Sequence, residues 1–498
     1  MARRLPLLAA GILLGLAAVL GAQDRGRVIV IGFDGLDGHE VARRVAAGEL
    51  PAFGELGRRG TLAPLATTEP AQSPVSWSSM ITGLSPARTG IDGFVQRDFR
   101  DGEVRVMLSL GRREVDATGL RSRGVRRWAL GLPLLLVVVG MTWQIRRRRR
   151  LGAFVSLAIA GALGWGLWLS ETAIPDGFPV AVNARQGTAY WDRLDAAGVP
   201  TATALAPCSF PALRMERGEL VCGFGVPDLL GTVGFWNLWR DDVDREAITE
   251  TGGRIAPLLV DAREGTRIRY RAVRLPGPPN VVTGEGDTSC ELRITVDGEA
   301  LEVASGDESV SAEGAAWTAL LPVTFGMSRV VQVSGLVRFR LTRRENRVEV
   351  YADPVQFDPR ALPPGVALGA PVDLPGRIAA ARSASGRPPA GRRRPTRSRT
   401  APTRASSRGR GLVWDEQEAL ARRALANPRA RVVTAVFSVP DRIQHMFARY
   451  AWTDRDLSGA PARPEFRSAI DAAHAGPTPS SARCSRSTWA RTTAPRRL

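Results

Sequence analysis

The chain contains no lysine, and its basic side chains are all arginine. That absence reflects a GC-rich coding sequence rather than a chemistry. Histidine is nearly as scarce, with three in 498 residues: His39, His445 and His474. Four cysteines (Cys208, Cys222, Cys290, Cys484) form no C-x-x-C pair, which excludes the usual structural zinc spacing. Cys208 and Cys222 are close enough in sequence to pair in an oxidising compartment, and two buried thiols are the equal alternative. Acids are missing from two stretches. Residues 382–410 hold ten arginines and residues 472–498 five, with no Asp or Glu in either, and together they account for 15 of the 19 net positive charges. The remainder is close to neutral. A nucleic-acid binder would instead spread arginine over a folded face among aromatics, so no nucleic-acid partner is expected. Runs such as 391-GRRRPTRSRT-400 read as solvated, irregular chain.

The length allows two or three domains with a sizeable core, and 44% apolar residues suit a folded protein with membrane segments. Arg3-Arg4, the apolar run Leu5–Leu20 and Gly21-Ala22-Gln23 follow the plan of a signal peptide over 1–22, cleaved after Ala22, or of an uncleaved anchor. Two more apolar runs, Trp128–Ile145 and Leu151–Leu169, approach the roughly 20 residues that cross a bilayer. Arg146–Arg150 between them belong in the cytoplasm by the positive-inside rule. This gives a transmembrane hairpin over 128–169 with both outer ends exported. Arg121, Arg123, Arg126 and Arg127 flank the outer end, and the alternative is a buried helix pair in a soluble protein.

The sequence 27-RVIVIGF-33 reads as a strand buried on both faces of an α/β sheet, closed by Asp34-Gly35. Helical patterns follow at 38–47 and from Leu50-Pro51 to about 59. Segment 73–83 starts as a loop and becomes amphipathic. After the apolar runs, 187–195 reads as helix and 198–205 as strand. Residues 267-RIRYRAV-273, 291-ELRITVDG-298, 329-RVVQVSG-335 and 347-RVEVYA-352 alternate as strands, which predicts a β-rich insertion over 266–360. Residues 414–426 read as helix. A second buried-type strand, 431-RVVTAVFSV-439, again ends near an Asp, Asp441. Sites in open α/β sheets form at the carboxyl ends of strands. Asp441 and His445 are spaced i, i+4 and share one helix face, where a carboxylate and an imidazole can bind zinc or manganese. Alone, either Asp is as well explained by a salt bridge or a loop.

The combination is more specific. VIVIGFDGLDG at 28–38, LPAFGELGRRG at 50–60 and SPVSWSSMITGLSPARTGI at 73–91 resemble the type I phosphodiesterase / nucleotide pyrophosphatase branch of the alkaline phosphatase superfamily. YWDRLD at 190–195, APCSFP at 206–211, GFGVPDLLGT at 223–232, VEVYADPVQFDP at 348–359 and FSVPDRIQHMF at 437–447 continue the likeness. The resemblance implies an α/β, alkaline-phosphatase-like three-layer sandwich with a mostly parallel sheet. It implies a phosphodiesterase- or phosphatase-type hydrolase on phosphate esters, working with two divalent ions, zinc or alternatively manganese. It makes Asp34, Asp441 and His445 metal ligands. Counting nine residues back from Thr82-Gly83 makes Ser73 both nucleophile and ligand, where the family often has Thr. A sulfatase relative is disfavoured, because Ser73 is followed directly by Pro74 and no Arg completes a C/S-x-P-x-R pattern at that position.

The family's further Asp-His pair and a later His have no counterpart here. His39 reads as a loop or helix residue, and His474 lies in the arginine-rich tail. The two arginine-rich stretches resemble GC-rich DNA read out of frame, with compensating frameshifts around 382–410 and the frame lost again near 470. A natural disordered linker and tail is the alternative. The expected organisation is a leader at 1–22 and α/β parts at 24–120, 173–265 and 413–466, interrupted by the hairpin and the insertion. Segments 377–412 and 467–498 are expected to be irregular or frameshifted. The expected location is the bacterial inner membrane with the soluble part outside the cytoplasm. A catalytically inactive, membrane-anchored remnant is the competing reading.

Overall fold

The computed structural model describes residues 26–98, 105–116, 120, 122–249, 252–344, 347–384 and 402–451. The expected leader at 1–22, the tail at 467–498, His474 and Cys484 lie outside these residues.

A five-stranded sheet carries the site. Its strands run in the order Val28–Phe33, Val432–Phe437, Thr201–Ala206, Glu219–Cys222 and Gly369–Ala370. The first four are parallel and the last is antiparallel. Val28 pairs with Val432 and Phe33 with Phe437, so residues about 400 apart in sequence become neighbours. Strand alternation then sorts the side chains. Val433, Ala435 and Phe437 pack with Ala202, Ala204, Ala421 and Ala424, under the helix Pro402–Ala426. Thr434 points the other way, and its Oγ1 lies 2.6 Å from the hydroxyl of Tyr190 on the helix Tyr190–Ala196. Helices therefore cover both faces.

The strand Val432–Phe437 is buried along nearly its whole length. The strand Val28–Phe33 departs from the expectation of burial on both faces: Val28 is 54% and Ile31 38% exposed. The reason is position. It pairs on one side only among the described residues, and an edge strand has half the cover of a central one.

The alternating segments form strands, with a wider extent than the sequence suggested. One sheet runs Phe339–Arg344, Arg347–Ala352, Trp236–Arg240, Gly253–Pro257, Ala247–Thr249, and so begins before residue 266. A second is antiparallel throughout, from Leu259–Glu264 to Glu308–Glu313. The strand Asp287–Asp297 alternates between buried positions and exposed or half-buried ones, and turns Leu292, Ile294 and Val296 into a core shared with Trp239, Phe325, Phe339 and Val350. The run expected at 329–335 starts as a turn, and its strand is Gln332–Val337. Arg338, 6% exposed, ties this β-rich region to the α/β part. Its Nε lies 3.1 Å from Asp353 and its Nη2 3.1 Å from Glu416 on the helix Pro402–Ala426.

Segment 377–412, expected to be irregular or frameshifted, holds helix at both ends. The helix Leu374–Ala384 enters it and the helix Pro402–Ala426 begins inside it, while 385–401 lie outside the described residues. Arginine and alanine are both good helix formers, so a basic composition does not by itself prevent a helix. Cys208, Cys222 and Cys290 are all buried free thiols, which decides against a Cys208–Cys222 disulfide.

The two apolar runs form helices Arg123–Arg146 and Arg150–Thr172, of 24 and 23 residues, each long and apolar enough to cross a membrane. No part of either apolar window is buried, whereas a core helix pair would bury most of both. The helices are clamped at one end by Arg127 Nη2 to Glu171 Oε2 at 2.6 Å. At the other end the guanidinium groups of Arg147 and Arg149 lie 5.3 and 5.5 Å from the ring of Trp143.

Candidate functional site

Asp34 stands one residue past the strand Val28–Phe33, and its N–H continues the ladder by donating to Phe437 O at 2.8 Å. Stacked rings of Phe33 and Phe437, 5.3 Å apart, fix the two strand ends side by side. Asp34 is 7% exposed, and its Oδ1 accepts two hydrogen bonds. Ser73 Oγ donates at 3.1 Å and Trp77 Nε1 at 3.0 Å. Both donors lie on the helix Ser73–Thr82, spaced i, i+4, so one face of its first turn closes over the carboxylate. The helix starts at Ser73 with Pro74 in the first turn, a position where proline costs no hydrogen bond. It ends at Gly83 in the left-handed conformation that glycine favours. No side chain caps its N-terminus, which leaves that positive end beside Ser73 for an anion.

Asp441 and His445 lie on the helix Val439–Ala451, with Nε2 of His445 3.4 Å from Asp441 Oδ1. Asp441 abuts the Asp34 turn through Gly35. That glycine has φ +68°, and a Cβ added to it would fall 2.7 Å from Asp441 Cα. Gln444 secures the same contact by donating to Gly35 O. Burial, and then the neighbouring Asp34 carboxylate, hold the Asp441 carboxyl above the usual carboxylate range, against the pull of His445 and Arg442. Gly35→Ala should therefore separate the two carboxylates. The substitution combines a left-handed φ with a backbone clash, and a loss of about 2 kcal/mol or more in urea unfolding is expected.

The four residues singled out from sequence are thus brought together in two touching pairs, Ser73 with Asp34 and Asp441 with His445. His39 is exposed on the helix Gly38–Ala46. In kind, the donors suit a divalent cation: two carboxylates that repel each other, an imidazole and a hydroxyl. In number they fall short of two ions, and among the described residues no group of three or more His, Cys, Asp or Glu is placed to hold a metal.

Four neighbours were not foreseen from sequence. Trp77 fits against the sheet because Gly32 has no side chain; a Cβ there would lie 2.6 Å from the indole ring. Its signal was the i, i+4 spacing from Ser73. Cys208 sits beneath the helix with Sγ 3.8 Å from Pro74 O, and burial pushes its thiol up to about 12. A thiol pushed up by burial is a poor nucleophile, and Cys208 reads as a packing residue. Asn183 Nδ2 and Arg185 Nε donate to Cys208 O at 2.9 and 3.3 Å and brace its backbone at φ +52°.

Residues 28–217 match the family model of type I phosphodiesterase / nucleotide pyrophosphatase. No curated protein and no solved structure matches the chain. The matched segment contains Asp34, Ser73, Trp77 and Cys208, three of which share direct contacts at the strand end. Over residues 28–217 the chain is therefore similar to type I phosphodiesterase / nucleotide pyrophosphatase, a family of the alkaline phosphatase superfamily.

Proposed function

We propose that the chain is a metal-dependent phosphodiesterase- or phosphatase-type hydrolase in which Ser73 is the nucleophile. The observation that carries this reading is the Ser73 hydroxyl donating to Asp34 at 3.1 Å, at the uncapped start of a helix. The hydroxyl proton already points at a carboxylate. The helix N-terminus suits the negative phosphoryl group. Attack forms a bond from Ser73 Oγ to phosphorus and breaks the bond to the leaving alcohol, and water then cleaves the phosphoseryl ester. Asp34 with Ser73, and Asp441 with His445, are the two pairs that would hold zinc or manganese ions, which would supply Lewis-acid polarisation of the phosphoryl oxygen. Trp77 positions Asp34 by occupying Oδ1. Trp77→Phe keeps the aromatic packing and loses the donor, and should weaken zinc binding by about tenfold in titration calorimetry.

The proposed fold is the alkaline-phosphatase-like sandwich, built on the sheet with helices on both faces. The proposed setting is a membrane with the soluble part outside the cytoplasm, supported by the two apolar helices and by Arg146–Arg150 at their junction. Trp128 and Trp168 at the opposite end are exposed, as tryptophans at a membrane interface are.

The shortage of metal donors favours a second reading, a remnant that binds phosphate esters without turning them over. Assay with bis(p-nitrophenyl) phosphate and added zinc or manganese separates the two. Metal-dependent release of nitrophenol supports the hydrolase; saturable phosphate binding without release supports the remnant.

A further inference from the structure

We propose that the turn Met327–Val331 is a second membrane contact, seated among phospholipid headgroups where the helix pair emerges. This rests on the reading that the pair spans the bilayer. Ser328 Oγ donates to Ala173 O at 2.7 Å, and Ala173 is the C-cap of the helix Arg150–Thr172. The turn is thereby pinned at the level where that helix ends.

The turn holds its own shape. Met327 and Ser328 donate their N–H groups to Val331 O at 2.9 and 3.1 Å. Val330 and Val331 donate theirs to Ser328 Oγ at 3.2 and 3.1 Å. Asn280 Nδ2 braces it from outside by donating to Met327 O at 3.1 Å. What remains at the tip is Arg329 and Val330, both exposed. They lie one and two residues from Ser328, within about 7 Å of the pinned level.

The junction around the turn is stiff. Arg126 is 6% exposed and donates to Pro175 O at 2.9 Å and Leu120 O at 3.0 Å. The N–H of Arg123 donates to Asp176 Oδ1 at 2.8 Å. The tip therefore cannot drift far from the helix ends. Leu120, exposed at the same junction, adds apolar surface there. An arginine beside an exposed valine matches the two halves of the interface: the guanidinium pairs with lipid phosphates, and the valine enters the acyl boundary.

The test uses the full chain with Cys484→Ser, because the other three cysteines are buried and shielded from label. Val330→Cys carries a nitrobenzoxadiazole probe, and Leu135→Cys in the first helix is the depth control. Both proteins are reconstituted into phosphatidylglycerol/phosphatidylcholine vesicles with shallow or deep spin-labelled lipid. The expected result at position 330 is blue-shifted emission and loss of most of its intensity with the shallow quencher. Water-like, unquenched emission at 330, with position 135 quenched by the deep lipid, overturns the proposal and leaves the helix-pair reading standing. Absence of quenching at both positions overturns both.

Discussion

Ser73→Ala should abolish phosphodiester cleavage, lowering kcat by on the order of 10⁴-fold or more, as loss of a covalent nucleophile does. The effect should be confined to chemistry. Ser73 is the first residue of its helix, where alanine is well tolerated, and no capping bond is lost because its Oγ bonds Asp34 rather than the helix backbone. Asp34 Oδ1 keeps the Trp77 donor, so the carboxylate is not left unpaired. Circular dichroism should be unchanged and the thermal midpoint should move by only about 2 °C. Ser73→Thr is the informative companion. It restores a hydroxyl at the same place and should recover a measurable part of the rate. A Ser73→Ala protein with full activity would remove Ser73 from the mechanism.

Replacing residues 123–172 with a short Gly/Ser linker should move the protein from the membrane pellet to the soluble fraction. The comparison is made in chains lacking residues 1–22, so that the first apolar run contributes nothing. The shift should be nearly complete, since a spanning helix anchors a chain far more firmly than surface attachment does. The remaining body should stay folded. Arg123 N–H reaches Asp176 Oδ1 at 2.8 Å, so the points of entry and exit already touch and a short linker closes them without strain. The strands Gly111–Asp116 and Phe178–Asn183 pair along their full length beyond the junction, and they hold the two cut ends together. Retention of the linker variant in a carbonate-washed pellet would contradict the anchoring role of this helix pair.

The site was legible because its residues sit at marked places. Asp34 and Asp441 each follow a β-branched strand, and His445 shares a helix face with Asp441 by spacing alone. Ser73 came from counting within a family pattern, and the structure places it against Asp34. Less legible was anything fixed by long-range pairing. Nothing local in VIVIGF tells an edge strand from a central one; its exposure depends on which strand, some 400 residues away, lies beside it. Residues 236–264 hid their strands because these are short and broken by turns, while Asp287–Asp297 advertised itself by alternation. The helix Pro402–Ala426 was half missed because its first turns are arginine, serine and glycine, and only the later WDEQEALARRALA carries a helical apolar stripe. Trp77 needed Gly32 across the sheet to make room for it, a relation that appears only once the two elements are packed.

The most direct test is to quench the metal-supplemented reaction with bis(p-nitrophenyl) phosphate in acid and map the peptides by mass spectrometry. The account predicts a nitrophenyl-phosphoryl adduct on Ser73, formed as nitrophenol is released and absent from Ser73→Ala. Nitrophenol release with no adduct at Ser73, and at the same rate in Ser73→Ala, would contradict it.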